Sequence, residues 1–161
     1  MTRKALDWIV TLAVAAAFVL VFEAELAKPY RIPSASMEPT LHCAKPTSDC
    51  LGNHNDRVIA NRLAYRFGAP KRGDIVVFKA PAAASQCGVG DGGSTFVKRL
   101  IGLPGEQVSE RAGVVYIDGK RLNEPYVDPQ LRDTRTQTWP RVPPRHYFFM
   151  GDDRIFSCDS R

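Results

Sequence analysis

The sequence predicts a mainly β fold: an antiparallel sheet or barrel-like domain behind a single N-terminal transmembrane helix. Three observations predict it. An apolar run opens the chain, from Trp8 to Phe22, broken only by Thr11. Beyond it, short β-branched and aromatic runs recur, each bounded by glycine, proline or Asp-Gly. Twelve prolines and twelve glycines, most of them past residue 28, require many turns and short elements. The 161 residues suffice for one domain with its own core.

The N-terminal element comes first. Met1-Thr2-Arg3-Lys4 is basic and short. As a helix, Trp8 to Phe22 rises only about 22 Å, less than the roughly 30 Å of a bilayer core. Extension through Ala27 reaches about 30 Å and carries Glu23 and Glu25 to headgroup level, where charge costs less than at the centre. A cleaved signal would need small residues at the cleavage positions, and the stretch after Phe22 offers weak candidates. A basic tip before a retained anchor fits the positive-inside rule. The expectation is therefore a cytoplasmic tip and single-pass anchor over 1–28 and an extracytoplasmic β-rich domain over 29–161.

The strands follow in order. Arg57-Val58-Ile59-Ala60 is a short apolar candidate. Asp74 to Phe78 is β-branched, opened by Gly73 and closed by Pro81. Thr95 to Ile101 is stopped by Gly102 and Pro104. Val114 to Ile117 leads into Asp118-Gly119, a strong hairpin signal, then Lys120-Arg121-Leu122. His146 to Met150 precedes Gly151. Ala82 to Gly93, rich in small residues, reads as a surface loop. Asp128 to Pro144, polar and proline-bearing, reads as an extended or mobile surface excursion.

Charge and cysteines narrow the function classes. The net charge is +5, but basic residues are interspersed with acids, which argues against nucleic acid as a partner and favours anionic phospholipid headgroups. Cys43, Cys50, Cys87 and Cys158 allow three pairings, and an oxidising compartment permits disulfides. A Cys43–Cys50 bridge would close a short loop, leaving Cys87 and Cys158 to join distant segments. The spacing of His42, Cys43, Cys50 and His54 matches no common zinc pattern. No metal or other cofactor is expected.

Serine is a candidate source of chemistry, against the plainer reading of a polar turn after the anchor. His42, His54 and His146 suggest no Ser-His-Asp triad, and neither a phosphate loop nor HExxH is present. Pro33-Ser34-Ala35-Ser36-Met37-Glu38-Pro39-Thr40-Leu41 holds two serines just past the anchor. A neutral lysine can activate a serine hydroxyl. Lys98 lies in an apolar strand pattern, with Phe96 and Leu100 on its own face and Val97, Arg99 and Ile101 on the other. In water only about one lysine in 2,500 is neutral at pH 7, but desolvation lowers the pKa by several units; on the pattern alone, a solvated lysine on a half-exposed strand is the plainer reading. A polar block, Gly151 to Arg161, ends the sequence and offers Asp–Arg pairs and Ser157 as a hydrogen-bonding partner for a lysine.

Assembled in this order, the segments resemble bacterial type I signal peptidase (leader peptidase). The resemblance rests on the anchor, Arg31 to Leu41, Gly73 to Phe78, Lys98-Arg99-Leu100-Ile101-Gly102-Leu103-Pro104-Gly105-Glu106, and Gly151 to Arg161. It implies Ser36 as nucleophile and Lys98 as general base. Ser34 would donate to the oxyanion beside the Ser36 N–H, and Ser157 would orient Lys98. Asp159 and Arg161 would form a bracing ion pair, with Asp152 and Arg154 structural near the site. Tyr30, Ile32, Met37, Leu41, Phe96 and Val97 would shape pockets for small residues before the cleaved bond. The substrate would be the signal peptide of a preprotein, bound in extended form by a monomeric enzyme of the bacterial plasma membrane.

Three departures stand out: Asp153 where the family usually has asparagine, Ala35 where many members have glycine, and a sequence ending at Arg161 where members generally continue with at least one more strand. That last departure keeps an alternative in view, an impaired or truncated relative acting as an anchored peptide-binding β-domain. Self-cleaving repressor-like proteins share the dyad, but lack the anchor and carry a DNA-binding head.

Overall fold

The computed structural model describes residues 3–25, 27–46, 49–61, 63–82, 84 and 94–161. Two compact units divide the chain: Met1–Tyr30 with Arg57–Ala69, and Arg31–Asp56 with Pro70–Arg161. The segment from Arg57 to Ala69 thus groups with the N-terminal helix and not with the rest of the β domain.

In the first unit, α1 spans Arg3–Glu25. Nine of its large apolar side chains are exposed: Leu6, Trp8, Ile9, Val10, Leu12, Val14, Phe18, Val19 and Leu20. Among the described residues, no helix is long and apolar enough to cross a membrane. The strands β1 (Ala27–Arg31) and β2 (Arg57–Asn61) pair as a two-stranded sheet.

The second unit is built on two antiparallel sheets. In one, β4 (Thr95–Gly102) lies between β3 (Ile75–Lys79) and β9 (Phe148–Met150). The whole of β3 pairs with Thr95 to Arg99, whereas β9 pairs with β4 only from Arg99 onward. The edge of Thr95 to Lys98 that faces away from β3 therefore has no strand partner among the described residues. In the other sheet the order is β7 (Lys120–Arg121), β6 (Val114–Ile117), β5 (Val108–Arg111), β8 (Gln137–Thr138). Asp118-Gly119 makes the predicted β6–β7 hairpin turn, with both residues at positive φ.

The core gathers Ile101, Val108, Val115, Trp139, Val142, Phe148 and Met150. Gly102 marks the β4 bulge, and a Cβ there would stand 2.6 Å from Val108 Cγ2 and 2.9 Å from Phe148 Cβ. Only glycine lets the two sheets approach this closely. Trp139 and Val142 correct the reading of Asp128 to Pro144 as a surface excursion. Trp139 packs tilted against Phe148 with ring centres 5.2 Å apart, its backbone N–H donates to Val108 O, and Val142 N–H donates to Glu106 O. Two apolar side chains in a polar stretch were enough to fold it onto the core.

Cys43 and Cys50 are disulfide-bonded, with Cα atoms 5.2 Å apart. Cys158 is also disulfide-bonded. The expected pairing with Cys87 falls outside the described residues, as does most of the Ala82–Gly93 loop.

Candidate active site

The turn bearing Ser36 is short because prolines bracket it. Pro33 precedes a single 3₁₀ turn, Ala35–Met37, and Pro39 follows it. Ser34 enters extended, and Glu38 leaves extended at φ −62° and ψ 143°, as a residue before proline prefers. Glu38 N–H closes the turn on Ala35 O at 2.8 Å, and Leu41 N–H donates to Met37 O at 2.9 Å. Ala35 and Met37 are buried, and Ala35 packs against Cys43 and Cys50.

Lys98 comes to this turn from the middle of β4. Its Nζ donates to Ser36 Oγ at 2.6 Å, across 62 residues of sequence. Ser34 Oγ lies 3.4 Å from Ser36 Oγ. Lys98 is 4% exposed, and its ammonium position lies 5.2 Å from the centre of the Phe96 ring. Burial pulls its pKa down to about 8, with Asp159 opposing the shift and Arg161 reinforcing it. Against an ordinary lysine at 10.5, the neutral fraction at pH 7 rises about 300-fold.

The closing segment supports the turn from behind. Asp153 N–H donates to Ser36 O at 3.3 Å. Gly151 N–H is shared between Ser157 Oγ (3.1 Å) and Asp159 Oδ2 (3.0 Å). A Cβ on Gly151 would collide with Ser36 O and with the Ser157 side chain. Among the described residues, no hydrogen bond joins Ser157 to Lys98; Ser157 Oγ accepts from Gly151 N–H, and its hydroxyl is hydrogen-bonded to the Asp159 carboxylate. Asp153 Oδ1 accepts from Ile155 N–H and Phe156 N–H at 3.0 and 3.1 Å, a role an asparagine carbonyl would fill equally. Burial raises the Asp153 pKa, and the neighbouring carboxyls of Asp49 and Glu38 add to the effect.

Buried ion pairs carry this segment. Arg99 makes a two-pronged contact with Asp152, Nε to Oδ1 at 2.8 Å and Nη2 to Oδ2 at 2.6 Å, and Thr40 donates to Asp152 Oδ2. The Arg99 guanidinium stacks 3.9 Å over the Tyr126 ring. Arg154, 1% exposed, pairs with Glu124 at 2.5 Å and donates to Gly151 O at 2.8 Å. Arg161 grips Asp159 through Nε and Nη2 and reaches Asp133 at 2.7 Å. Although burial works against it, Arg161 holds the Asp159 carboxyl below its usual range. Sequence reasoning anticipated the Asp159–Arg161 pair but not the partners Arg99, Glu124 and Asp133, which lie far away in sequence.

Beside Ser36 and Lys98 opens a cavity of about 570 Å³, with Ile32, Pro33, Ser34 and Met37 on one wall and Ser94 to Val97 on the other. Of the residues predicted to shape pockets, Ile32, Met37, Phe96 and Val97 line it. Leu41 is half-buried and does not. Tyr30 lies on β1, in the first unit. Phe156 and Cys158 close a third side. Phe156 was missed, though an apolar Ile155-Phe156 pair inside a polar block was a readable signal. Among the described residues, no group of three or more His, Cys, Asp or Glu could hold a metal ion.

Comparison with known proteins gives this arrangement a context. The family model for signal peptidase, peptidase S26, matches residues 5–161. The chain is 35% identical over 168 residues to the signal peptidase I of Mycobacterium tuberculosis, a match covering 84% of this chain and 55% of that protein. It therefore spans about half the length of that relative. It is 38% identical over 151 residues to the probable signal peptidase I-1 of Synechocystis sp., covering 92% of this chain and 69% of that one. A crystal structure of a signal peptidase I from Enterococcus faecalis is 33% identical, with a TM-score of 0.45 over 58% of this chain and 85% of that one. The chain belongs to the signal peptidase family, peptidase S26.

Proposed function

We propose that this chain is a membrane-anchored serine endopeptidase that removes signal peptides from exported preproteins, with Ser36 as nucleophile and Lys98 as general base. The observation that carries the reading is the buried Lys98 Nζ–Ser36 Oγ hydrogen bond of 2.6 Å. A lysine whose pKa falls to about 8 is neutral in roughly a tenth of molecules at pH 7. In that state its lone pair accepts the hydroxyl proton of Ser36 as Oγ attacks the scissile carbonyl.

The carbonyl π electrons move onto oxygen. Ser36 N–H and the Ser34 hydroxyl donate to that oxyanion, an arrangement consistent with Ser34 Oγ lying 3.4 Å from Ser36 Oγ. The tetrahedral intermediate collapses, the C–N bond breaks, and the ammonium of Lys98 returns its proton to the leaving amine. Neutral Lys98 then takes a proton from the water that attacks the acyl-enzyme and returns it to Ser36 Oγ as the ester C–O bond breaks, releasing the signal peptide and restoring the Ser36 hydroxyl and the neutral lysine. Ser157 acts at one remove: it and Asp159 hold the Gly151 N–H, and Gly151 sits against the Ser36 carbonyl. Asp152, Arg154, Asp159 and Arg161 brace that segment through their ion pairs.

The substrate pairs as an added strand along Thr95 to Lys98, where β4 has no strand partner opposite β3. Ile32, Met37, Phe96 and Val97 crowd the cavity and admit small side chains. Residues 1–28, of which α1 is the described part, supply a cytoplasmic tip and a single-pass anchor in the bacterial plasma membrane. The support is the row of exposed apolar side chains on α1 and the basic Arg3-Lys4 start. Anionic phospholipids are the lipid partner, and the protein works as a monomer. Anchoring places both Ser36 and the preprotein's cleavage site near one bilayer surface and raises their effective concentration.

The test incubates detergent-solubilised protein with a preprotein, alongside Ser36→Ala and Lys98→Ala. The unmodified chain cleaves and both variants lose cleavage by about 10³-fold or more. Cleavage that survives both substitutions refutes the dyad.

A further inference from the structure

Glu38 is a buried acid that the mechanism above does not use. It is fully buried and stands two residues after Ser36. Its Oε1 accepts two backbone hydrogen bonds from the far side of the disulfide loop, from Cys43 N–H at 3.1 Å and Leu51 N–H at 3.2 Å. The Cys43 sulfur lies 3.8 Å from the same oxygen. Its Oε2 has no hydrogen-bond partner among the described residues; His42 Nε2 is 3.5 Å away. The Glu38 backbone N–H meanwhile closes the nucleophile turn on Ala35 O, and Ala35 packs against the disulfide. One residue thus ties the Cys43–Cys50 loop to the turn that fixes Ser36.

A buried carboxyl is an expensive way to join two segments unless its position matters. The Glu38 carboxyl is also close enough to buried Asp153 to oppose its ionisation, and Asp153 N–H is the group that holds Ser36 O. An apolar residue would fill the same space without the charge. What it could not supply is an acceptor for the Cys43 and Leu51 amides.

We propose that Glu38 is a positioning residue: through Oε1 it clamps the disulfide loop beneath the Ser36 turn and sets the direction of Ser36 Oγ toward Lys98. The proposal rests on the peptidase reading above, but its structural half can be read without any activity. Glu38→Gln keeps an acceptor oxygen for the Cys43 and Leu51 amides while replacing the charged Oε2, which lies 3.5 Å from His42 Nε2, with an uncharged amide nitrogen. Glu38→Ala removes both acceptor contacts. A nucleophile displaced by about 1 Å can cost 100-fold in turnover.

Two measurements are made on the detergent-solubilised full chain. Amide hydrogen exchange is followed at Glu38, Leu41, Cys43 and Leu51, and preprotein cleavage is resolved into kcat and KM. Glu38→Ala is expected to speed exchange at all four amides and to lower kcat by 10- to 100-fold with KM changed less than about threefold. Glu38→Gln is expected to keep both exchange and kcat within about threefold. Unchanged exchange at Glu38 and Leu41 in the alanine variant overturns the clamp whether or not the protein cleaves. So does an equal loss in both variants, or faster exchange with kcat unaltered. A Ser36→Ala control that still cleaves would instead sink the peptidase reading and leave the exchange result to decide the clamp alone.

Discussion

Lys98→Met replaces the buried amine with an uncharged side chain of similar length, and it should stabilise the protein while abolishing cleavage. Lys98 is 4% exposed, and burial lowers its pKa from 10.5 to about 8. That shift corresponds to about 3 kcal/mol of stability lost at neutral pH by keeping the amine charged inside the fold. Methionine removes this penalty and forfeits the hydrogen bond to Ser36, worth about 1 kcal/mol. The expected net gain at pH 7 is about 2 kcal/mol. The pH window has a definite sign. Between about pH 8 and 10.5 the unfolded lysine still binds its proton while the folded one has released it, so the unmodified protein gains stability as pH rises. Below pH 8 the penalty is complete, and above 10.5 it is gone. The advantage of the variant should therefore hold at pH 7, shrink from pH 8 upward, and reverse to a deficit of about 1 kcal/mol near pH 11. Urea unfolding at pH 7, 9 and 11 measures it as a change in midpoint at constant slope. A variant less stable than the parent at pH 7, or a difference that does not move with pH, refutes the reasoning.

Three further outcomes are expected. Gly151→Ala drives a methyl group into Ser36 O and Ser157, and should cost about 2 kcal/mol or more and most of the activity, read by thermal unfolding and preprotein cleavage. Glu124→Ala leaves Arg154, 1% exposed, charged and unpaired in the interior; a loss of about 3–5 kcal/mol is expected in denaturant unfolding, while Glu124→Gln loses less. Asp153→Asn keeps an acceptor for Ile155 and Phe156 N–H without a buried charge. Since burial raises the Asp153 pKa, ionising it at neutral pH opposes folding, so the asparagine variant should melt higher at pH 7 and the difference should close as pH falls below the unfolded value near 3.8.

The strands that β-branched runs announced are where they were expected: β3, β4, β6 with its Asp118-Gly119 turn, and β9. Those that were missed have sequences that disguise them. Strand β5 is Val-Ser-Glu-Arg, polar on its face, yet Ser109 and Glu110 are buried because neighbours cover both sides of the strand. Strand β8 has two residues and exists only because β5 offers an edge to pair with. Strand β1 contains Pro29, which argues against a strand unless it sits where no amide hydrogen is needed. At the site, the strand pattern made Lys98 a candidate and put Phe96 on its face, but a solvated lysine and a polar turn fitted the same residues, and only the family resemblance singled out Ser36 and Lys98 together. The acids and bases behind them were not legible. Asp152 could have paired with any neighbouring cation, and only the fold selects Arg99, 53 residues earlier. Periodicity carries information about faces and none about which distant charge will meet which.

The site's parts come from ends of the chain that a ribosome delivers far apart. Ser36 emerges early, Lys98 follows 62 residues later, and the segment that holds the Ser36 carbonyl is separated further still, as the 112-residue span between Thr40 and Asp152 indicates. Until that last segment docks, the serine lies on an unsupported turn and the lysine amine is open to water, fully protonated and unable to accept a proton. On the proposed reading of Ser36 as nucleophile and Lys98 as base, the pair is therefore assembled only when folding is complete, and reactivity would arrive with the finished fold.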